Sequence, residues 1–293
     1  MKYLAIDSLA RSGTTLLSSL INSQERCATF IGNFAEPWHV DGRPSRTIDS
    51  AYKPIATTGK TKINIDRYKK EILKIFKSRP RLNAGKTVKE WSDLFDKKDH
   101  QTFDELYNEV AAHYNAEVIG FRWNQCLYYA PLWLGRSPDH YWVLPIRNPL
   151  DRIVSNKKTH NVHFNEAYQI TAELDQKYQR LIEQYPNNIV IVYYEDLVSD
   201  PVTTLKEFFD KIDYPLRDIE TQNIVGSNDK PYRNQGWRVK EKKGGSHTQG
   251  EKFTSLYSTS IGQYKEFLSK TEIAQTIDLM RRTELFRRYL DEE

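Results

Sequence analysis

The run Ala10-Arg11-Ser12-Gly13-Thr14-Thr15-Leu16 puts a fixed cation, several hydroxyls and a glycine side by side. Together these groups suit anion binding. A glycine in a turn lets backbone N–H groups point inward, and a helix opening just beyond it adds free donors and a favourable dipole. Ser12, Thr14 and Thr15 contribute hydroxyls, and Arg11 contributes charge. Taken alone, the run specifies an anion and no more. A plain strand-to-helix turn with a threonine cap uses the same residue types.

A kinase-type nucleotide loop reads G-x-x-x-x-G-K-[S/T]. Aligned on Gly13, its first glycine falls on Ser8 and its lysine on Thr14. The cation here stands before the glycine, at Arg11. That departure argues against ATP and Mg²⁺ chemistry of the usual kind, and a P-loop kinase of a small metabolite is kept as an alternative. Gly59-Lys60-Thr61 and Gly85-Lys86-Thr87 repeat the Gly-Lys-Thr letters. Pro54 and Pro80 stand where their first glycines belong, and neither triplet follows an apolar strand. Both are decoys on that ground.

A second cluster runs from Leu144 to Ser155. An apolar strand ends at Arg147, Pro149 opens a helix, and Ser155 lies two turns on. Strand ends of open α/β sheets line the ligand crevice, and arginine offers phosphate a bidentate fork. Two separate anion sites suit a nucleotide phosphorylated at both ends.

These residues need elements to hold them. Residues 3–6, 27–31, 118–122, 141–146 and 189–193 read as buried strands. Helices are expected over 14–22, 66–77, 165–185 and 270–290, and after Thr102, Asn148 and Asp200. Thr102 and Glu105 form a capping-box pair. Strand and helix alternate, which predicts an α/β fold with a central, mostly parallel sheet flanked by helices. The 293 residues are expected to form one domain. A polar stretch over about 41–62 reads as an extended loop or lid, and a basic, glycine-rich stretch over about 231–253 as a loop that covers an anionic ligand.

Composition agrees. The chain is 39% apolar and 28% charged, with a net charge of +4 and its Lys and Arg spread along its length. That pattern suits polyanionic small molecules without calling for nucleic acid. Cys27 and Cys126 form no CxxC, so neither a disulfide framework nor a metal site is expected. The first apolar run is too short for a signal peptide, and no stretch approaches the ~20 apolar residues of a membrane span. A soluble, cytoplasmic protein with no membrane partner is the expectation.

Three motifs now stand in order: Arg11-Ser12-Gly13-Thr14-Thr15; Arg147-x-Pro-x-x-Arg-x-x-Ser155; and Tyr193-Tyr194-Glu195-Asp196-Leu197 followed by Asp200-Pro201. In this the sequence resembles the superfamily of sulfotransferases dependent on 3′-phosphoadenylyl sulfate (PAPS), of the bacterial small-molecule type. The resemblance implies a P-loop NTPase-like sulfotransferase fold. It implies that Arg11, Ser12, Gly13, Thr14 and Thr15 hold the 5′-phosphosulfate, and that Arg147 and Ser155 hold the 3′-phosphate, with Tyr194 beside them. Lys243 and Gly244, in Lys242-Lys243-Gly244-Gly245, are the nearest match to the family's C-terminal Arg-Lys-Gly loop. Cytosolic members often carry Lys where Arg11 stands, and a fuller C-terminal loop.

The same resemblance implies transfer to a hydroxyl or amine of a small-molecule acceptor, such as a secondary metabolite, without a metal. Arg11 and Arg122 are the candidate cations for charge on the leaving phosphate. Glu36 is the candidate general base, with His39 close enough in sequence to share the site and His160 and His163 as rivals. The oligomeric state is left open, a homodimer included. A non-catalytic module binding nucleotides or sulfated glycans is the other alternative; it keeps both anion sites and needs no base.

Overall fold

The computed structural model describes residues 1–7, 11–34, 38–39, 62–63, 65–78, 84–100, 102–123, 130–216, 218–221 and 261–290. The apolar runs become parallel strands: β1 (Lys2–Ile6), β2 (Cys27–Phe34), β5 (Val118–Trp123), β6 (His140–Ile146) and β7 (Ile189–Tyr193). They lie in the order β2-β5-β1-β6-β7. Two short strands, β3 (Trp38–His39) and β4 (Lys62–Ile63), pair antiparallel outside this sheet.

Alternation sends successive side chains to opposite faces. Leu4 and Ile6 join Val143, Val190 and Val192 against α1 (Thr14–Asn22) on one face. Tyr3 and Ala5 join Phe30, Phe121, Trp142 and Leu144 on the other. That face is covered by α2 (Ile65–Ser78), α3 (Val88–Lys97), α4 (Phe103–Tyr114), α5 (Ala130–Leu134), α6 (Pro149–His160) and α7 (Phe164–Gln184). After β7 come α8 (Tyr194–Ser199) and α9 (Pro201–Lys211), which pack beside α1 through Leu197, Phe208 and Phe209. Both faces are buried, which is why the strands read as continuous apolar runs.

The topology fixes where a ligand fits. From central β1 the chain passes over the place of β5 to reach β2; from β5 it crosses to the far side of β1 to form β6. Strand order therefore reverses at β1, and the crevice beyond its carboxyl end is the switch point of the sheet.

Some expectations are corrected. The last helix does not run over 270–290. It is α11 (Lys270–Arg281), preceded by the short α10 (Tyr264–Phe267). The Thr283 hydroxyl donates to the Met280 carbonyl at 3.2 Å, and Leu285 and Phe286 turn into the core. A 3₁₀ turn at Arg287–Leu290 closes the described chain. The helix α3 was not expected at all. Thr87 of the second decoy triplet is its N-cap: Thr87 Oγ1 accepts the Glu90 N–H at 3.1 Å, and Glu90 Oε2 accepts the Thr87 N–H at 2.6 Å. Trp91 and Phe95 then face the core. Apart from Lys62, the expected lid over 41–62 lies outside the described residues, as does the basic loop over 231–253. Among the described residues no helix is long and apolar enough to cross a membrane.

Candidate active site

β1 delivers the chain to the first anion loop. Its course continues through the Asp7 N–H, which donates to the Val143 carbonyl at 3.0 Å. Arg11 (φ 75°) and Gly13 (φ 91°) both have left-handed backbone. For a non-glycine residue this conformation costs about 1–2 kcal/mol, and such strain gathers at functional loops. Gly13 is required for two reasons. Its φ disfavours any side chain, and a Cβ there would sit 2.5 Å from Tyr194 Cδ2. As N-cap of α1, glycine offers no side-chain cap. The first-turn N–H groups of α1 therefore stay available at the crevice, where an anion can use them.

The neighbouring elements bring further cations to this loop. Arg122 on β5 sits in register with Ile6 of β1, and its Nη1 donates to Thr15 Oγ1 at 2.7 Å. Arg11 Nε donates to Ser155 Oγ at 3.0 Å. Arg147 Nη1 donates to the Arg11 carbonyl at 3.3 Å, and its guanidinium lies 4.7 Å from the centroid of the Tyr194 ring. The two sequence motifs thus form one site. The acceptors in these contacts are hydroxyl and carbonyl oxygens. They orient the guanidinium groups at the crevice, where arginine can meet an anion through a two-pronged contact. Ser12 is buried in the loop and Thr14 is half-buried at the start of α1.

The second arm rests on α6. Asn148 caps this helix by accepting the Leu150 N–H at 3.0 Å, and Pro149 supplies its first residue. Leu150, Ile153 and Val154 pack into the core. Arg152, inside the same motif as Arg147, points away from the crevice. It is 1% exposed and donates to the Ala167 carbonyl at 3.1 Å and to the Thr171 hydroxyl. It holds α6 to α7, while Arg147 contacts Arg11 and Tyr194 at the crevice.

Two buried carboxylates stand behind Arg147. Glu195 accepts the Asn148 N–H on Oε1 at 3.0 Å and the Tyr289 hydroxyl on Oε2 at 2.7 Å. Asp151 accepts the Gly262 N–H at 2.7 Å and the Tyr264 N–H at 3.2 Å. Burial pushes both carboxyls above their usual range, against the pull of these hydrogen bonds and of the Arg147 charge. Beside them Asp196 receives a two-pronged contact from Arg288, at 2.7 and 2.8 Å. These carboxylates tie the C-terminal residues to the site. Sequence reasoning placed Glu195 and Asp196 in a motif but gave these carboxylates no role, because their partners lie far away in the chain: Tyr289 is 94 residues from Glu195.

Of the sequence-predicted residues, Arg11, Ser12, Gly13, Thr14, Thr15, Arg122, Arg147, Ser155 and Tyr194 gather at this crevice. The backbone of His39 lies in β3, opposite Lys62. His160 ends α6, and His163 is the N-cap of α7. Glu36, Lys243 and Gly244 lie outside the described residues.

An open, five-stranded parallel sheet flanked by helices, with two arginine-bearing loops meeting at its switch point, defines the α/β class of the fold. Residues 4–218 match the Sulfotransferase family, and the chain belongs to it. Its class is therefore that of a sulfotransferase enzyme. No curated protein matches the chain. Among solved structures it is similar to a sulfotransferase domain from the curacin biosynthetic pathway, with a TM-score of 0.53, 16% identity and 96% of each chain covered. This likeness bears on the fold alone. The sulfotransferase domain of the Synechococcus PCC 7002 olefin synthase gives a TM-score of 0.48 at 15% identity, covering 94% of this chain and 92% of that one.

Proposed function

We propose that this sulfotransferase takes its sulfuryl group from PAPS and passes it to a hydroxyl or amine of a small-molecule acceptor, releasing adenosine 3′,5′-bisphosphate (PAP). One observation carries the reading: the two anion arms touch, Arg11 on Ser155 and Arg147 on the Arg11 carbonyl. A nucleotide phosphorylated at both its 5′ and 3′ positions meets both arms at once. An ordinary 5′-nucleotide meets one.

In the proposed reaction the acceptor lone pair forms a bond to sulfur while the bridging S–O bond to the 5′-phosphate breaks. The electron pair of that bond goes to the leaving phosphate, and the acceptor proton goes to a carboxylate. Arg11 and the first-turn N–H groups of α1 stabilise the leaving phosphate. Arg122, on Thr15, adds a second cation where charge builds. Ser12, Thr14 and Thr15 contribute hydroxyls to the same arm. Arg147, Ser155 and Tyr194 hold the 3′-phosphate end, with Lys243 and Gly244 covering the nucleotide. Holding donor and acceptor in line supplies most of the remaining acceleration. Glu36 is the proposed base, with His39 as its rival. β2 ends at Phe34, so Glu36 follows the carboxyl end of a sheet strand, where catalytic groups of open α/β sheets sit.

The test is PAPS-dependent transfer to a panel of hydroxyl and amine acceptors, with mass spectrometry detecting a sulfated product. The reading expects product from the wild-type protein. It expects Glu36→Gln to lose transfer by about 10²–10⁴-fold while still binding PAP. Failure of the wild-type protein to transfer to any acceptor, together with failure to bind PAP, would overturn it.

A further inference from the structure

The peptide unit that joins Arg147 to Asn148 carries one N–H, and that N–H is held. Glu195, 8% exposed, accepts it at 3.0 Å. Fixing this peptide plane fixes the backbone torsions on either side, and backbone torsions restrict which rotamers a side chain adopts. The residue before Glu195 acts on the other end of the same arginine, since the Tyr194 ring lies 4.7 Å from the Arg147 guanidinium. The start of α8 therefore grips Arg147 at both backbone and head group.

Glu195 is itself held. Its second oxygen accepts the hydroxyl of Tyr289, which is fully buried. Burial and the adjacent carboxylate raise the Tyr289 phenol well above its ordinary value, so it remains a donor at every working pH. The neighbouring Arg288 clasps Asp196, and its guanidinium lies 4.0 Å from the Tyr193 ring centroid. The family match ends at residue 218, so Arg288 and Tyr289 stand outside it.

We propose that Glu195 and Tyr289 are positioning residues for the 3′-phosphate arm of the donor site, acting through the Arg147–Asn148 peptide. The C-terminal turn then supports a 3′-phosphate arm whose Arg147, Ser155 and Tyr194 lie within the matched region. The inference rests on the reading of PAPS as donor.

The experiment compares binding of PAP, which has both phosphates, with binding of adenosine 5′-monophosphate (AMP), which lacks the 3′-phosphate, by calorimetry on the full chain. The wild-type protein is expected to prefer PAP. Tyr289→Phe is expected to weaken PAP binding about 5–10-fold and AMP binding by less than about twofold, the size of one hydrogen bond acting on one arm. Glu195→Gln keeps the side-chain volume and is expected to lower the same PAP/AMP preference, so the test survives if Tyr289→Phe does not fold. Asp104→Asn, at the far end of the sheet, is the control: it lowers stability and leaves the preference unchanged. A general structural role for Tyr289 and Glu195 would move both ligands together, or neither, and either result overturns the inference. A wild-type protein that binds PAP no better than AMP overturns the donor reading itself, a separate outcome.

Discussion

The two ends of the central sheet keep their cations in different company. At the amino ends of the strands, cations meet carboxylates: Lys2 lies 2.9 Å from Asp139, Arg26 2.5 Å from Glu117 and Arg136 3.1 Å from Asp104. At the carboxyl ends, Arg11 meets the Ser155 hydroxyl, Arg122 the Thr15 hydroxyl and Arg147 the Arg11 carbonyl. Of the carboxylates at that end, Asp196 pairs with Arg288, while Glu195 and Asp151 accept backbone N–H groups and the Tyr289 hydroxyl and attract Arg147 from behind. Ion pairs at the amino ends build structure, whereas the guanidinium groups oriented at the strand-end crevice also stand where an anionic ligand can meet them.

Residue types alone miss this distinction. Ser137, His140 and Asp104 carry the letters of a hydrolytic triad, and their contacts form a chain. His140 Nε2 donates to the ionised Asp104 Oδ1 at 3.1 Å, and Nδ1 lies 2.9 Å from Ser137 Oγ, which accepts the Asp139 N–H at 3.2 Å. Yet His140 has no exposed surface and is stacked 4.6 Å from Tyr3, at the end of the sheet away from the crevice. The network joins α4 to β6.

Exchanging charge at the two ends sharpens the contrast. Arg11→Met is expected to reduce PAPS-dependent transfer about 10²–10³-fold while shifting unfolding free energy by less than about 1 kcal/mol. Arg136→Met is expected to do the reverse, costing about 1 kcal/mol in denaturant titration and leaving transfer within about twofold of wild type. Equal loss of transfer in both variants would break the comparison.

Next in size is Gly13→Ala. Left-handed backbone and the approach of Tyr194 predict a loss of about 2–4 kcal/mol in unfolding free energy, with PAP binding lost alongside. Full stability in this variant would show that the loop relaxes freely.

The far end also predicts a pH dependence. Burial opposes ionisation of Asp104, but hydrogen bonds from His140 and Arg136 outweigh it and hold the carboxyl at about 2, below the ordinary 3.8. A depressed carboxyl stabilises the fold above its unfolded pKa, and that contribution is lost as pH falls from about 4 through about 2. Discounted for partial exposure, it amounts to about 1–2 kcal/mol. Asp104→Asn should be less stable at neutral pH by that amount and lack this acid limb, with transfer unchanged. The smallest effect belongs to Ser155→Ala, which removes one hydroxyl and is expected to weaken PAP binding about 5–10-fold.

Much of the fold was legible because its signals are local. Apolar runs gave the strands. Gly13 and the Asn148-Pro149 pair marked where chain direction changes into a helix, and both anion arms follow such changes. Contacts made in space left no trace. Arg11 and Ser155 are 144 residues apart. Arg147 and Arg152 share one motif but face opposite ways, a matter of which side of α6 meets α7. Thr87 shows the opposite error: its triplet was set aside as a phosphate loop, and its capping role with Glu90 went unread. The last helix was drawn too long because helical spacing continues past Arg281, while the chain turns to bring Arg288 and Tyr289 to Asp196 and Glu195.

The central claim is that one crevice holds both phosphates of the donor. Thermal unfolding of the wild-type protein with PAP, and separately with ATP and Mg²⁺, tests it most directly. A ligand at 100 times its Kd adds about 2.7 kcal/mol to the folded state, so PAP is predicted to raise the Tm by several degrees. ATP with Mg²⁺ at the same concentration is predicted to raise it far less. Stabilisation by ATP and Mg²⁺ with none by PAP would contradict the account.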